Sequence, residues 1–479
     1  MKVDTLYQTI ALDLKKLIES RTYRPGEKLP SVRKLSNQWN VSIATIQSAY
    51  LELQSQGLIY SQPRAGFFVE SAFSHLLPEP LLSSPANTFN DPGEGHLSTS
   101  LVDSLNFGPD LIPFGIATLD PNLFPISDLH RSLTRVSRRA GSEALVYDFV
   151  PGSIKLRQQL SKLCVRSGLC MPPEEFVLTN GAIEAFHVCL RAVAKTGDLI
   201  AVESPTYYGF LRAIQNMQMR PLEIPTHPRE GIDLGCLNTL LKKHKVSSIM
   251  TVSNYSNPLG CTIPIDRKKD LVCMAKKFNV PIIENDIFGD LPHFGDRPSV
   301  CKAYDQDGMV LLCSSFSKTL SPGYRVGWTA PGKYKSRVEW LIHESTFASS
   351  TLMRLSIAEY LASSNYQKHL LNLRRHCASQ VQQMSMIVSN HFPKGTRLTR
   401  PEGGFILWVE FPEKLNSFEL HRLALAHKIS ITPGPVFSSQ QQYQNCIRLS
   451  CGYPITSYLE QAIAKLGKLA TQLISISTK

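Results

Sequence analysis

One lysine in the chain has neighbours suited to covalent chemistry. Lys318 lies in the run SSFSKTLSPGYRVGW, with Ser315 and Ser317 before it and Arg325 after it. A lone lysine after a strand is ordinarily a solvated surface charge. Two hydroxyls, a glycine and a guanidinium around it instead describe a pocket for a phosphate and an amine. Lys318 is therefore expected to form a Schiff base with an aldehyde cofactor, while Ser315, Ser317 and Arg325 hold the phosphate. The segment Thr179-Asn180-Gly181-Ala182 opens a predicted helix. Free N–H groups at such a terminus attract an anion, and Gly181 permits close approach. Tyr207 in ESPTYYG can stack on a flat heteroaromatic ring, although a tyrosine after a strand more often serves core or rim. Asn257 in SNPLG can donate to a ring hydroxyl; its plainer reading is a turn residue.

A second set of polar residues suits a polyanion. Ser42, Thr45 and Ser48 lie off the apolar side of a predicted helix, with Gln47 nearby, where they can reach base edges in a major groove. Arg33 and Lys34 on the preceding helix, and Arg64 in a turn, are placed for phosphates or a minor groove. Residues 1–70 carry nine Lys/Arg and six acidic side chains, a modest excess.

These residues need elements to hold them. Leu6, Ile10, Leu14, Leu17 and Ile18 follow helical spacing until Tyr23-Arg24-Pro25-Gly26 breaks it. Ser31 can cap a second helix and Ser42 a third, which carries Ile46, Ala49, Tyr50 and Leu53 and stops at Gly57. Leu58–Tyr60 and Gly66–Val69 then read as a hairpin. Residues 1–70 are thus expected to form a winged helix-turn-helix. Over residues 71–108, prolines, serines and glycines remove all periodicity, so a linker is expected that could span about 35 Å as a flexible coil. From residue 109 to 479, Val- and Ile-rich runs (Leu199–Val202, Ser248–Val252, Val280–Ile283, Met309–Cys313) alternate with helical stretches such as Ala182–Ala194 and Arg267–Phe278. That alternation predicts an α/β domain with a largely parallel sheet, whose strand ends are where ligands bind. Runs at Gly404–Glu410 and Cys446–Ser450 indicate a small C-terminal α+β subdomain over about 370–479.

Bulk properties agree. The 479 residues exceed one ordinary core, and 43% hydrophobic with 19% charged residues describes a packed, soluble chain. A net charge of +12 suits a polyanionic partner without requiring one. Neither a secretory signal nor a membrane-length apolar run is read. The 11 cysteines form no C-x-x-C pair, so reduced thiols in the cytoplasm and no metal site are expected.

The stretch PGEKLPSVRKLSNQWNVSIATIQSAYLELQSQGLIYSQPRAGFFV closely resembles the GntR family of transcription regulators. The resemblance places Arg33, Ser42, Thr45 and Gly66 at DNA-contact positions. Ile43 stands where the family often has an arginine, which removes a guanine-reading fork and bears on the operator sequence. From about Ile112 onward, YDFVPGSIKLR, TNGAIEA, ESPTYYG, SNPLG, SFSKTLSPGYRVGW, PEGGFILWV and IRLSCGY resemble fold-type I enzymes of aminotransferase class I/II that use pyridoxal 5'-phosphate (PLP). By that resemblance Lys318 carries the cofactor, Tyr207 stacks on its ring and Asn257 partners its O3' oxygen. Arg448 matches the arginine that takes an amino acid carboxylate. The segment PIIENDIFGDL departs from the family, which commonly places Asp at the pyridine nitrogen and Tyr at O3'; Asn285 and Phe288 stand there. Chemistry favours a shifted Asp286 as the partner and register favours Asn285, with the balance slightly toward Asp286. The whole order resembles the MocR subfamily of GntR regulators. It implies a homodimer that binds operator DNA under control of PLP or its adduct with an amino acid or other amine. The alternative is an active aminotransferase with an accessory DNA-binding domain.

Overall fold

The computed structural model describes residues 6–19, 22–23, 27–55, 58–62, 65–69, 77–83 and 110–476. The N-terminal unit packs α1 (Leu6–Glu19), α2 (Val32–Trp39) and α3 (Ile43–Ser55) over a hairpin of β1 (Ile59–Gln62) and β2 (Gly66–Val69). Ser31 caps α2 by accepting from the Lys34 N–H, and Asn40 ends that helix in the left-handed conformation. Ser42 caps α3 by accepting from the Thr45 N–H at 3.1 Å. Each cap satisfies an N–H that the helix itself leaves open. Ile10, Leu14, Leu35, Ile46, Tyr50, Leu53 and Val69 form one buried cluster, with Tyr50 donating its hydroxyl to the Pro30 carbonyl at 2.6 Å. The expected stop at Gly57 and the hairpin residue Arg64 lie outside the described residues.

The large domain is built on eight strands: β3 (Val177–Thr179), β4 (Leu199–Ser204), β5 (Arg220–His227), β6 (Gly231–Ile232), β7 (Val246–Thr251), β8 (Ile282–Asn285), β9 (Val310–Ser315) and β10 (Gly327–Ala330). Their spatial order is β3-β10-β9-β8-β7-β4-β5-β6, and β4, β5, β7, β8 and β9 run parallel. Strand β10 lies antiparallel between β9 and β3. Helices cover both faces, so the central strands are buried along their whole length and read as apolar runs. The four expected strands are present, and β9 continues through Ser315 to carry the chain directly to Lys318.

A smaller antiparallel sheet, β11 (Arg397–Leu398), β12 (Ile406–Glu410), β13 (Thr432–Pro433) and β14 (Cys446–Ser450), forms the C-terminal subdomain. It packs against the 27-residue helix α4 (Asn365–His391) and the helix Ser457–Ile476. Within the expected linker, residues 77–83 are not free coil: they run against both parts of this body through hydrogen bonds to Leu398, Thr226 and Ser204. None of the described helices is long and apolar enough to cross a membrane.

Candidate cofactor site and nucleic-acid interface

Lys318 follows β9 in a tight loop that is fastened at both ends. The Leu320 N–H bonds the Phe316 carbonyl at 2.8 Å, and His369 on α4 meets the Thr319 carbonyl at 2.6 Å. The Lys318 ammonium donates to the Ala117 carbonyl at 2.5 Å. Burial, then the nearby Arg448 and Arg325 cations, pull its pKa down from 10.5 to about 8. All three act against the charged form. Such an amine spends far more time neutral, which nucleophilic attack on an aldehyde requires.

The anion pocket is assembled around Arg325. Its Nη2 donates to the Asn180 carbonyl at 2.9 Å and its Nη1 reaches Ser317 Oγ at 3.5 Å. Ser315 and Ser317 are buried, and the Ser317 N–H bonds Ser315 Oγ at 3.3 Å. Gly181 has φ +89°, and a Cβ there would lie 2.5 Å from Arg325 Nη2. Only glycine meets both demands. Gly327 repeats the tightness, since its Cβ would fall 2.5 Å from the Gly181 carbonyl carbon. Ala182 begins the helix Ala182–Val193 directly after Gly181, which puts a helix N-terminus beside Arg325. Ser315, Ser317, Gly181, Ala182 and Arg325 therefore come together in one place.

Tyr207 lies just beyond β4 with its ring against Gly209, where a Cβ would come within 2.3 Å of the ring. Asn257 is buried and accepts from Arg448 Nη1 at 3.3 Å through Oδ1, which leaves its amide nitrogen to donate elsewhere. Arg448 on β14 is fully buried. Its Nη2 donates to Thr432 Oγ1 at 2.9 Å and to the Gly115 carbonyl, and its guanidinium stands 5.4 Å from the Phe437 ring. Its Nε has no partner. Among the described residues no carboxylate pairs with it, so a buried cation is left with neutral acceptors only.

The two residues in contention at the ring nitrogen have separate surroundings. Asp286 forms an ion pair with Arg297 and accepts from Asn254 Nδ2 at 2.9 Å. Arg297 in turn holds Asp290 at 2.7 Å, and Lys268 Nζ donates to Asn254 Oδ1 at 2.6 Å. Both oxygens of Asp286 are thus engaged in a buried network. Asn285, the last residue of β8, is buried with its Oδ1 unpartnered. Of the two, Asp286 is held by Arg297 and Asn254, while the Asn285 amide oxygen has no hydrogen-bond partner. Phe288 packs edge-on to Phe405 at 5.4 Å, inside the core. Sequence reasoning missed Arg297, Asn254, His369 and the Ala117 carbonyl; none carries a spacing signal, because each arrives from a distant segment.

On the N-terminal unit, Arg33, Ser42 and Gln47 are exposed and Thr45 is half-buried, its hydroxyl 2.7 Å from that of Ser42. Ile43 is 47% exposed on the same helix end. Gly66 has φ +111° and its backbone lies against the Lys28 side chain. Ser42, Ile43, Thr45 and Gln47 thus lie at the cap or within the first two turns of α3, with all but Thr45 exposed.

A family model described as bacterial regulatory proteins of the gntR family matches residues 6–69, and one described as aminotransferase class I and II matches residues 118–466. The HTH-type transcriptional regulators YdcR and YjiR of Escherichia coli, both described as uncharacterised, are 35% and 34% identical. Each comparison covers 97% of this chain and 98% of the relative. The chain belongs to the MocR-type GntR regulators. Its MocR body shares its fold with the α-aminoadipate aminotransferase LysN of Thermus thermophilus (TM-score 0.74, 24% identity, 80% of this chain and 97% of that one). A Pyrococcus horikoshii kynurenine aminotransferase superposes with a TM-score of 0.72 at 26% identity, over 78% of this chain and 93% of that one. PLP is the cofactor of this domain. The residues present fit it: an anion cradle that a Cβ at Gly181 would fill, an orphaned Asn285 oxygen, and a lysine with a lowered pKa.

Proposed function

We propose that this MocR-type protein is a sensor of a carboxylate-bearing amine, with PLP held at Lys318 and DNA binding as the output. The observation that carries this reading is Arg448. A fully buried guanidinium without an acidic partner is costly, and an incoming carboxylate would relieve that cost. When bound, PLP supplies an aldehyde that condenses with amines and a ring that absorbs visible light. The Arg325 cradle would hold its phosphate, Tyr207 would cover the ring, and Asn257 would donate to the ring oxygen. Lys318 would offer a neutral amine, and Arg448 would orient the ligand by its carboxylate. Asn285, rather than Asp286, would face the ring nitrogen. A neutral amide there holds a proton on that nitrogen poorly, which favours reversible binding of amines over turnover.

The sensor would work in the cytoplasm as a homodimer. Tyr147, Phe149 and Phe347 make an edge-on cluster with centroids no more than 5.6 Å apart, yet Tyr147 is 67% exposed. An aromatic patch left in water supports burial against a second copy. Two heads would then meet paired half-sites, with Gln47, Ser42 and Thr45 toward bases and Arg33, Arg64 and Gly66 toward the backbone.

The competing reading, a working aminotransferase, draws on Lys318, Asn257 and Arg448 together; Asn285 stands against it. The test is titration of the PLP-loaded protein with an amino acid panel, followed by visible absorbance and by affinity for DNA selected from a random library. A spectral change that saturates without turnover and alters DNA affinity is expected. Turnover near 10 per second, about the median for enzymes, with no DNA response would overturn the proposal.

A further inference from the structure

Residues 77–83 bridge two parts of the PLP body that the cofactor site also bridges. At one end the segment is fixed to the C-terminal subdomain. The Leu398 N–H bonds the Pro78 carbonyl at 2.9 Å, Arg397 Nη1 bonds the Glu79 carbonyl at 3.2 Å, and Arg400 Nη2 bonds the Leu77 carbonyl at 3.0 Å. At the other end it is fixed to the large domain. Ser83 Oγ donates to the Ser204 carbonyl at 2.5 Å and accepts from the Thr226 N–H at 2.8 Å. Between them Pro80 is buried and the Glu79 carboxylate pairs with Arg229 at 2.7 Å. Seven residues therefore cross from β11 to the ends of β4 and β5.

The large-domain anchor is close to the cofactor groups. Ser204 ends β4, and Tyr207 is three residues on in the same loop. In that loop the Thr206 N–H bonds the Phe437 carbonyl at 2.9 Å, and Phe437 is the ring against which Arg448 stands. The anchor itself is stiff. Glu223, buried on β5, accepts from Ser204 Oγ, from Ser438 Oγ at 3.0 Å and from the Ser439 N–H at 2.6 Å. The opposite anchor belongs to the subdomain that carries Arg448, whose Nη1 meets Asn257 of the large domain across the cleft.

We propose that residues 77–83 form a strap that reads the closure of the PLP site and passes it to the DNA-binding head. Closing the subdomains around a ligand held by Tyr207 and Arg448 changes the separation of the strap's two anchors. A seven-residue segment fastened at both ends must shift or release when its anchors move apart or together. The chain from Val69 of the head to Leu77 of the strap can span at most about 28 Å. Movement at Leu77 therefore restricts where the head can sit.

This inference rests on the sensor reading, and its test separates the two. Hydrogen exchange of the full-length protein is followed with and without PLP, and with PLP plus leucine or glutamate as probes. Loading is expected to change the exchange rate of the Ser83 and Thr226 amides at least tenfold. In Ser83→Ala that change should fall below threefold while the visible absorbance of the PLP-loaded protein stays within twofold of the parent. On DNA selected from a random library, Ser83→Ala and Glu79→Arg should abolish the PLP dependence of affinity. The paired exchange Glu79→Arg with Arg229→Glu should restore it. Exchange at Ser83 and Thr226 that is insensitive to every probe overturns the strap, as does full PLP dependence of DNA affinity in both single variants. If no DNA is selected, the sensor reading fails and the exchange result alone decides the strap.

Discussion

The depressed pKa of Lys318 yields the most quantitative expectation. With a midpoint about 8 instead of 10.5, the neutral fraction at pH 7.5 rises from about 0.1% to about 24%, a gain of roughly two hundredfold. The sign for stability follows from proton counting. Between about 8 and 10.5 the unfolded chain binds a proton that the folded protein does not, so this group's contribution to stability rises with pH across that window. Below pH 8 its burial is a full penalty, of about 3 kcal/mol at roughly 1.4 kcal/mol per unit. Lys318→Met keeps the aliphatic volume and removes the charge. In protein stripped of PLP, the variant should be more stable than the parent at pH 7 by up to that amount, and the difference should close above pH 10.5. Chemical denaturation followed by tryptophan fluorescence at several pH values measures both. Acetylation of Lys318, read by mass spectrometry against pH, gives the midpoint independently. Arg448 is the stronger of the two cations acting on the lysine, so Arg448→Met should move that midpoint upward. A midpoint near 10.5 in the parent, with no pH-dependent stability difference in Lys318→Met, would refute the electrostatic account.

Other residues give further expectations. Gly181→Ala puts a Cβ 2.5 Å from Arg325 at a positive φ, so PLP affinity should fall at least a hundredfold in an absorbance titration with the fold intact by circular dichroism. Arg297→Met leaves the buried Asp286 without its cation; destabilisation of about 3–5 kcal/mol is expected by denaturant titration. Asn285→Asp should raise amino acid turnover of the PLP-loaded protein at least tenfold in a coupled transamination assay, because a carboxylate beside the ring nitrogen holds its proton. Arg33→Ala should weaken binding to all DNA sequences alike and lower the salt slope by about one, whereas Gln47→Ala should alter sequence preference instead.

What could be read in the sequence was what local chemistry dictates. Ser31 and Ser42 announce their helices because a capping oxygen must precede the first turn, and both make those bonds. The runs at β4, β7, β8 and β9 are legible because strands covered on both faces must be apolar throughout. Lys318, Ser315, Ser317 and Arg325 were legible as a group because they lie within eleven residues of one another. The partner at the ring nitrogen was not. The groups that bear on it, Arg297 and Asn254, approach Asp286 from separate loops and leave no periodic trace. Residues 77–83 were equally opaque. Their prolines and serines suggest free coil, yet they bond residues more than a hundred positions away, largely through backbone groups that composition does not reveal.

The central claim is that ligand chemistry at Lys318 governs DNA binding. Its most direct test is the affinity of the full-length protein for DNA selected from a random library, measured with and without PLP in the parent and in Lys318→Ala. The account predicts at least a fivefold PLP-dependent change in the parent and none in the variant, whose visible PLP absorbance should also be lost. Equal affinities in the PLP-loaded and PLP-free parent, or an unchanged PLP response in Lys318→Ala, would contradict it.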